Sequence, residues 1–301
     1  MTYREYLDKA DTELKNAGIE DHKSCARIMV CEASGLSMAA LILHEHEQVS
    51  EAYEKRFEEI LSRRLRREPL EYIIGKTSFM GLDILCSKDC LVPRFDTEIL
   101  AELAVAETEK AIKRCREKGA RVPGILDLCT GTGCVGISVA ALSGVRKVTL
   151  SDISKKAIEL ARRNAKANDV DAELIVSDLF DSIEGKFDII TANPPYIARD
   201  KIGALEPEVS EFEPRLALDG GEDGLVFYRR IMKCAPQHMA EGAFLALETG
   251  DEQTEDVSAM MEAAGLRGVA VHKDLAGLPR VVCGYMIQDN RRDFRELCAD
   301  T

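Results

Sequence analysis

The sequence predicts an α/β protein: a small helical bundle, then a hairpin, then an open parallel sheet with helices on both faces. Three observations carry this. Apolar residues recur at helical spacing up to the first proline, Pro69. Short apolar runs broken by turn residues fill 71–92. From 124 onward, apolar runs and helical stretches alternate, the mark of strands joined by crossover helices. At 301 residues, the chain has room for two domains or one large one.

The helical stripe reads Tyr6, Ala10, Leu14; then Ala26, Met29, Val30, Ala33; then Leu41, Ile42; then Tyr53, Phe57, Ile60, Leu61, Leu65. Asn16-Ala17-Gly18 and Gly35-Leu36-Ser37 read as helix ends and caps, so about four helices span residues 1–67. The run Arg63-Arg64-Leu65-Arg66-Arg67 reads as a solvated helix C-terminus, where cations suit the macrodipole, rather than a nucleic-acid patch. Tyr72-Ile73-Ile74, Thr77-Ser78-Phe79 and Leu82-Asp83-Ile84-Leu85-Cys86 read as short strands. Residues 96–117 read as a helix. Strands follow at 125–129, 147–151, 173–176, 187–192, 243–247, 268–272 and 281–287, with helices at 134–143, 154–168, 222–240 and 251–265.

Composition narrows the class. Apolar residues make up 46% and charged residues 31%, with a net charge of −13. That is too apolar for a disordered chain, and no apolar run reaches the roughly 18–20 residues that span a bilayer. The opening Met1-Thr2-Tyr3-Arg4-Glu5 is no signal peptide. An acidic chain binds nucleic acid poorly in general, because that affinity rests on neutralising phosphates. The ten cysteines, Cys298 included, form no CxxC pair and lie by no histidine cluster. They read as free thiols of a cytoplasmic protein with no metal site. His44 and His46 flank Glu45 on a polar stretch and read as a solvated helix end.

The first strand of the alternating region ends in Asp127-Leu128-Cys129-Thr130-Gly131-Thr132-Gly133-Cys134-Val135-Gly136. Such a turn brings backbone close to a ligand and opens a helix N-terminus. Gly131, Gly133 and Gly136 spell G-x-G-x-x-G, with Asp152 about 20 residues on, which is the dinucleotide fingerprint. Asp127 argues for a different ligand. An acid just before the loop repels a pyrophosphate but can face a cation. A nucleoside with a sulfonium and no phosphate, such as S-adenosylmethionine, suits Asp127 and Asp152 better than NAD does.

The strand Phe187–Ala192 runs into Asn193-Pro194-Pro195-Tyr196. Proline cannot continue a central strand, so the chain leaves the sheet at its carboxyl end, where open parallel sheets bind ligands. The Asn193 side-chain oxygen and the Pro194 carbonyl can accept the two hydrogens of a planar NH2 group. Tyr196 offers a flat face.

An Asn-Pro-Pro-Tyr loop after strand four, with a glycine-rich loop after strand one, resembles class I methyltransferases that alkylate amino or amide nitrogens. Further stretches narrow this. They are Arg67-Glu68-Pro69-Leu70-Glu71-Tyr72-Ile73-Ile74-Gly75, Phe79-Met80-Gly81-Leu82 and Val92-Pro93-Arg94-Phe95-Asp96-Thr97-Glu98. Later come Glu213-Pro214, Ala217-Leu218, Gly220-Gly221-Glu222-Asp223-Gly224-Leu225, Tyr228-Arg229, Leu247-Glu248-Thr249-Gly250 with Gln253, and Asp274-Leu275-Ala276-Gly277 with Arg280. Together they resemble the release factor glutamine N5-methyltransferases (the PrmC/HemK family) over nearly the whole chain.

The resemblance implies a Rossmann-like class I methyltransferase seven-stranded sheet. It implies an N-terminal helical substrate-recognition domain at 1–70, a β-hairpin linker at 71–95 and an S-adenosylmethionine-dependent domain at 96–301. It implies methylation of the glutamine in the Gly-Gly-Gln tip of class 1 peptide release factors, by a protein with no stable nucleic-acid or membrane partner and a monomer by default. The cofactor would lie on Cys129, Thr130, Gly131, Thr132, Gly133, Asp152, Asp178, Leu179 and Asn193, with Asp178 on the adenine amino group. Asn193, Pro194, Pro195 and Tyr196 would hold the glutamine and carry catalysis.

The chain departs from the family pattern in three places. Phe95 stands where the linker often has a second proline, Cys129 where the loop has its first glycine, and Leu179 where some members have tryptophan. Leu179 or Phe180 is then left to meet the adenine. Arg94 and Glu98 read equally as substrate contacts or as an ion pair at the domain junction. Arg280 stays open between a structural and a substrate role. No strong general base stands beside the motif in sequence. The rival readings are a nucleic-acid adenine N6-methyltransferase with the same amine grip, an NAD oxidoreductase, and a release factor binder without activity.

Overall fold

The computed structural model describes residues 1–117 and 121–287, so Cys298 lies outside the described residues. The chain divides into two compact units. One is Met1–Gly75 with Glu206–Phe212, and the other holds the remaining residues.

The first unit is helical. It contains α1 (Tyr3–Asn16), α2 (His22–Ser34), α3 (Met38–His44), α4 (Glu51–Arg64) and α5 (Leu70–Ile74). Caps set the ends. Thr2 and Glu5 form a capping box on α1, and Ser37 and Ser50 cap α3 and α4. Tyr6, Leu14, Met29, Phe57 and Ile60 form its core. Two readings are corrected here. Tyr72–Ile74 is helix, not strand, because Leu70 and Ile73 reach this core at i and i+3 before Gly75 stops the turn at φ 87. A short apolar run does not tell helix from strand by itself.

The second correction concerns Arg63–Arg67. This run is not a solvated face. Arg64 is 5% exposed and donates from Nη1 to Glu208 Oε1 at 2.7 Å. Arg67 Nε donates to Glu208 Oε2 at 2.8 Å, and Arg63 pairs with Glu68. A buried guanidinium needs paired acid, and Glu208 arrives from a segment 144 residues away to supply it.

The second unit opens with the hairpin β1 (Lys76–Phe79) and β2 (Leu82–Leu85), turned at Met80 and Gly81, both with positive φ. After it come α6 (Glu98–Glu117), β3 (Ile125–Leu128), α7 (Cys134–Ser143), β4 (Lys147–Asp152), α8 (Lys155–Ala167), β5 (Asp171–Val176) and β6 (Phe187–Ala192). The one-turn α9 (Pro207–Ser210) belongs to the first unit. Then follow α10 (Val226–His238), β7 (Met239–Glu248), α11 (Thr254–Ala263), β8 (Leu266–Lys273) and β9 (Pro279–Met286).

The large sheet has the order β5-β4-β3-β6-β7-β9-β8. It is mixed rather than wholly parallel, because β9 returns from β8 through a hairpin and inserts antiparallel to both β7 and β8. Side-chain alternation serves two cores. Ile125, Ile189, Phe244 and Val281 pack with Leu100, Ile137 and Ala161 of α6, α7 and α8. Leu126, Ile190, Leu245 and Val282 pack with Tyr228, Ile231 and Met261 of α10 and α11. Burial on both faces makes these strands read as unbroken apolar runs. Residues 222–225 form a turn ahead of α10, held where Asp223 Oδ1 accepts the Leu225 N–H. Among the described residues, no single helix is long and apolar enough to cross a membrane.

Phe79 and Ile84 of the hairpin join the core, and one buried side chain of α8 also grips the hairpin. Asn164 of α8 accepts the Leu85 N–H at 2.7 Å and donates to the carbonyls of Leu85 and Thr132. It thereby ties β2 to the glycine loop after β3.

Candidate active site

Strand order reverses between β3 and β6, so the loops after these neighbours diverge and leave a crevice at the carboxyl edge. A cavity of about 340 Å³ lies there, entirely within the second unit. Its lining includes Cys129, Thr130, Gly131 and Thr132 after β3, Asp152 after β4, Asp178 and Leu179 after β5, and Asn193 and Pro195 after β6. Nine of the sequence-derived site residues thus meet at one place. Gly133, Pro194 and Tyr196 stand outside that lining.

The glycine loop is built by its neighbours. Cys129 adopts φ 53 where glycine would be unstrained. Gly131 also has positive φ, and a Cβ there would meet no atom within 4 Å. Gly136 has another role: a Cβ on it would lie 2.4 Å from Leu150 Cδ2, so it lets α7 press on the sheet. Asp152 Oδ2 accepts the Gly131 N–H at 2.9 Å and Oδ1 accepts the Ser154 N–H at 2.8 Å. With the Gly131 amide engaged by an acid, the loop makes a poor pyrophosphate cradle, which counts against a dinucleotide.

Asp127 organises the base of the loop. It is 1% exposed and accepts from Thr130 Oγ1 at 2.6 Å, Thr191 Oγ1 at 2.8 Å and the Gly136 N–H at 3.1 Å. Its carboxylate binds the loop to β6 and α7, and it also lines the cavity. Burial pushes its pKa up to about 6 against those three hydrogen bonds.

Three readings left open by the sequence acquire structural partners. Arg94 pairs with the buried Glu213 at 2.8 Å, and Glu213 also accepts the Val92 N–H. Glu98 accepts the Met80 N–H at 2.7 Å and so holds the hairpin turn. Both make structural links rather than pairing with each other, and Arg94 also lines the cavity. Arg280 bridges Asp96 and Asp274 at 3.2 Å each, also a structural tie. Leu179 lines the cavity, whereas Phe180 stacks on His238 with ring centroids 4.8 Å apart.

The Asn-Pro-Pro-Tyr loop is clamped from behind. Gln253 Nε2 donates to the Tyr196 carbonyl at 2.9 Å. A Cβ on Gly224 would lie 2.3 Å from that same oxygen, and one on Gly220 2.8 Å from Tyr196 Cα. Asn193 Nδ2 donates to Thr97 Oγ1 at 3.4 Å, and the Tyr196 hydroxyl donates to Glu248 Oε1 at 3.5 Å. Burial drives the Tyr196 hydroxyl pKa well up, so it stays protonated. Sequence reading assigned no role to Thr97, Glu248 or Arg230. Thr97 and Glu248 stood out only as members of the stretches that carry the family resemblance. Arg230 of α10 pairs with Asp178 Oδ2 at 2.9 Å and ties the loop after β5 to that helix.

Comparison with known proteins follows the same lines. Residues 5–75 match the PrmC N-terminal domain model, and residues 113–232 match the Methyltransferase small domain model. Over 282 residues the chain is 37% identical to the release factor glutamine methyltransferase of Agrobacterium fabrum, covering 92% of this chain and 94% of that one. The chain belongs to the release factor glutamine methyltransferase family. Its likeness to the member from Geobacter sulfurreducens is 34% over 284 residues, covering 94% and 96% of the two chains. The crystal structure of the hMettl16 catalytic domain superposes with a TM-score of 0.53 at 14% identity, over 71% of this chain and 79% of that one; this likeness concerns the fold alone. The family's second linker proline is Phe95 here, and it is 78% exposed, so the core does not depend on that exchange.

Proposed function

We propose that this chain transfers a methyl group from S-adenosyl-L-methionine to the side-chain amide nitrogen, N5, of the glutamine in the Gly-Gly-Gln motif of class 1 peptide release factors. One observation carries the proposal: Asn193 and Pro195 share a cavity wall with the loops after β3, β4 and β5.

The residues fit the cofactor. The cavity has apolar lining at Val135, Ile153, Ala157 and Leu179, suited to a flat heterocycle. Asp152 accepts backbone N–H groups yet keeps accepting capacity on its carboxylate, enough to receive a ribose hydroxyl. Its volume is in the range of small-ligand sites. When bound, the cofactor supplies an electrophilic methyl group on a cationic sulfur.

The chain's own residues act on the other reactant. An amide lone pair is delocalised, so the nitrogen is a weak nucleophile. Asn193 Oδ1 and the Pro194 carbonyl would accept its two hydrogens, draw the nitrogen toward a pyramidal shape and so free its lone pair for the methyl group that the cofactor would supply. Holding reactants in such an attack geometry is worth about 7–11 kcal/mol. The proton leaves after transfer, so no strong base need touch the nitrogen. A closed apolar wall favours loss of charge at sulfur. The helical first unit serves substrate recognition in this reading. A monomer acting in the cytoplasm suits such a substrate.

The test is direct. The purified chain is incubated with the cofactor and an unmethylated release factor, and the Gly-Gly-Gln peptide is mapped by mass spectrometry. One added methyl on that glutamine is expected, and none with Asn193→Ala. Cofactor binding without peptide methylation, together with methyl transfer to adenine in RNA or DNA, would overturn the proposal.

A further inference from the structure

Glu248 ends β7 at 2% exposure, and it lines no part of the cavity. Its Oε1 meets the Tyr196 hydroxyl at 3.5 Å. Its Oε2 is buried with no hydrogen-bond partner. Thr97 and Asn193 face the carboxylate and favour its charged form, and they meet each other at 3.4 Å. A buried carboxylate oxygen left unmatched is costly and calls for an explanation. Here three hydrogen-bearing groups surround it: the Asn193 amide, the Thr97 hydroxyl and the Tyr196 hydroxyl.

An ionised carboxylate only accepts hydrogen bonds. A side-chain amide has one accepting end and one donating end. Beside such an acceptor, Asn193 must turn Nδ2 inward and leave Oδ1 for the cavity. That is the end which can receive hydrogens from a substrate NH2 group, and it repels a carboxylate in the same place.

We propose that Glu248 is the positioning residue of the amide grip: as a carboxylate it collects the hydrogens of Asn193, Thr97 and Tyr196, and so presents the Asn193 oxygen to the substrate. The proposal rests on the reaction assigned above. It adds the group that sets the polarity of Asn193 and thereby selects an amide over an acid. A neutral Glu248 can donate, which permits Asn193 to flip and offer its NH2 to the cavity.

Glu248 is surrounded by groups from several elements. Tyr196 after β6, Tyr228 of α10, Cys134 of α7 and Arg280 of β9 are all pushed upward. Asp96 is paired with Arg280. Burial raises Glu248 itself to about 7, against the Thr97, Arg280 and Asn193 side chains.

Two readouts test this in the full-length protein. The first is the pair of Asn193 side-chain NH2 signals in NMR, identified by their loss in Asn193→Ala. In the wild type they should shift with a midpoint near 7, and in Glu248→Gln that titration should vanish. The second is turnover with the release factor. The wild-type kcat should rise with pH through about 7. Glu248→Gln should lose about 10- to 100-fold in kcat and lose that limb. Its KM and its cofactor Kd should stay within about twofold. Thr97→Val should lower kcat in the same direction, and Thr97→Ser should restore it. An unchanged kcat with the limb intact, or Asn193 signals that ignore pH, would overturn the positioning role. A wild type that titrates at Asn193 yet methylates no release factor would sink the substrate assignment and leave the positioning role standing.

Discussion

Asn193 has few ways to be replaced, because its task needs a hydrogen-bond acceptor at the end of a rigid strand. Pro194 and Pro195 fix the chain as it leaves β6, so the side-chain oxygen keeps its place without conformational loss. Asn193→Ala should lower kcat by about 100- to 1000-fold. Its cofactor Kd should change far less, as read by calorimetric titration, because Asp152 and the glycine loop remain intact. A parallel fall in cofactor affinity would mean that Asn193 acts mainly on the cofactor. Asp127 shows the opposite kind of residue. It lines the same cavity, yet its three hydrogen bonds face inward. It shapes the loop whose other residues line the cavity with it.

At the scale of elements, the loop after β6 is held by parts distant in sequence. Gly224 has φ 75, and any side chain there would strike the Tyr196 carbonyl. Gly224→Ala should therefore displace the Asn-Pro-Pro-Tyr loop, costing turnover at least about tenfold while the far-ultraviolet circular dichroism stays unchanged. Unaltered kinetics would show that the loop tolerates the shift. In the helical unit, α4 depends on the segment 206–212. Glu208→Ala leaves Arg64 buried with Asp21, 3.6 Å away, as its remaining acidic partner among the described residues. The loss should be about 3 kcal/mol, read by urea unfolding. Glu208→Gln should recover part of it by keeping a hydrogen-bond acceptor.

For the molecule as a whole, two buried acids shape the response to pH. Glu248 and Asp127 both have pKa values raised by burial, to about 7 and about 6. A raised acid pKa means that the folded chain binds protons more tightly than the unfolded one. The stabilisation is complete below the unfolded value and fades as pH climbs through the folded one. Glu248→Gln removes that dependence. Relative to the wild type, its thermal midpoint should climb between about pH 5 and about pH 8, by an amount matching about 3 kcal/mol. A constant difference across that range would show that Glu248 does not titrate there.

Much of the architecture was legible in the chain itself. Helical spacing marks the N-terminal helices because each shows one stripe to a core. The strands of the large sheet stand out because both of their faces are buried. Asn193–Tyr196 announced itself because two prolines after an apolar run have few structural explanations. The helix at Leu70–Ile74 was not legible, since five residues cannot display a period. Nor was the antiparallel insertion of β9, since strand direction leaves no trace in composition. The sequence by itself determined most of the helices and strands and which loops would meet at the carboxyl edge. These follow from local periodicity and from where the chain must turn. Only the tertiary structure decided that Arg64 would face Glu208, that Asp127 would turn inward, and that Glu248 would lie behind Asn193. Charge partners far apart in sequence are chosen by burial, which forces each polar group to find a match only once the elements have packed.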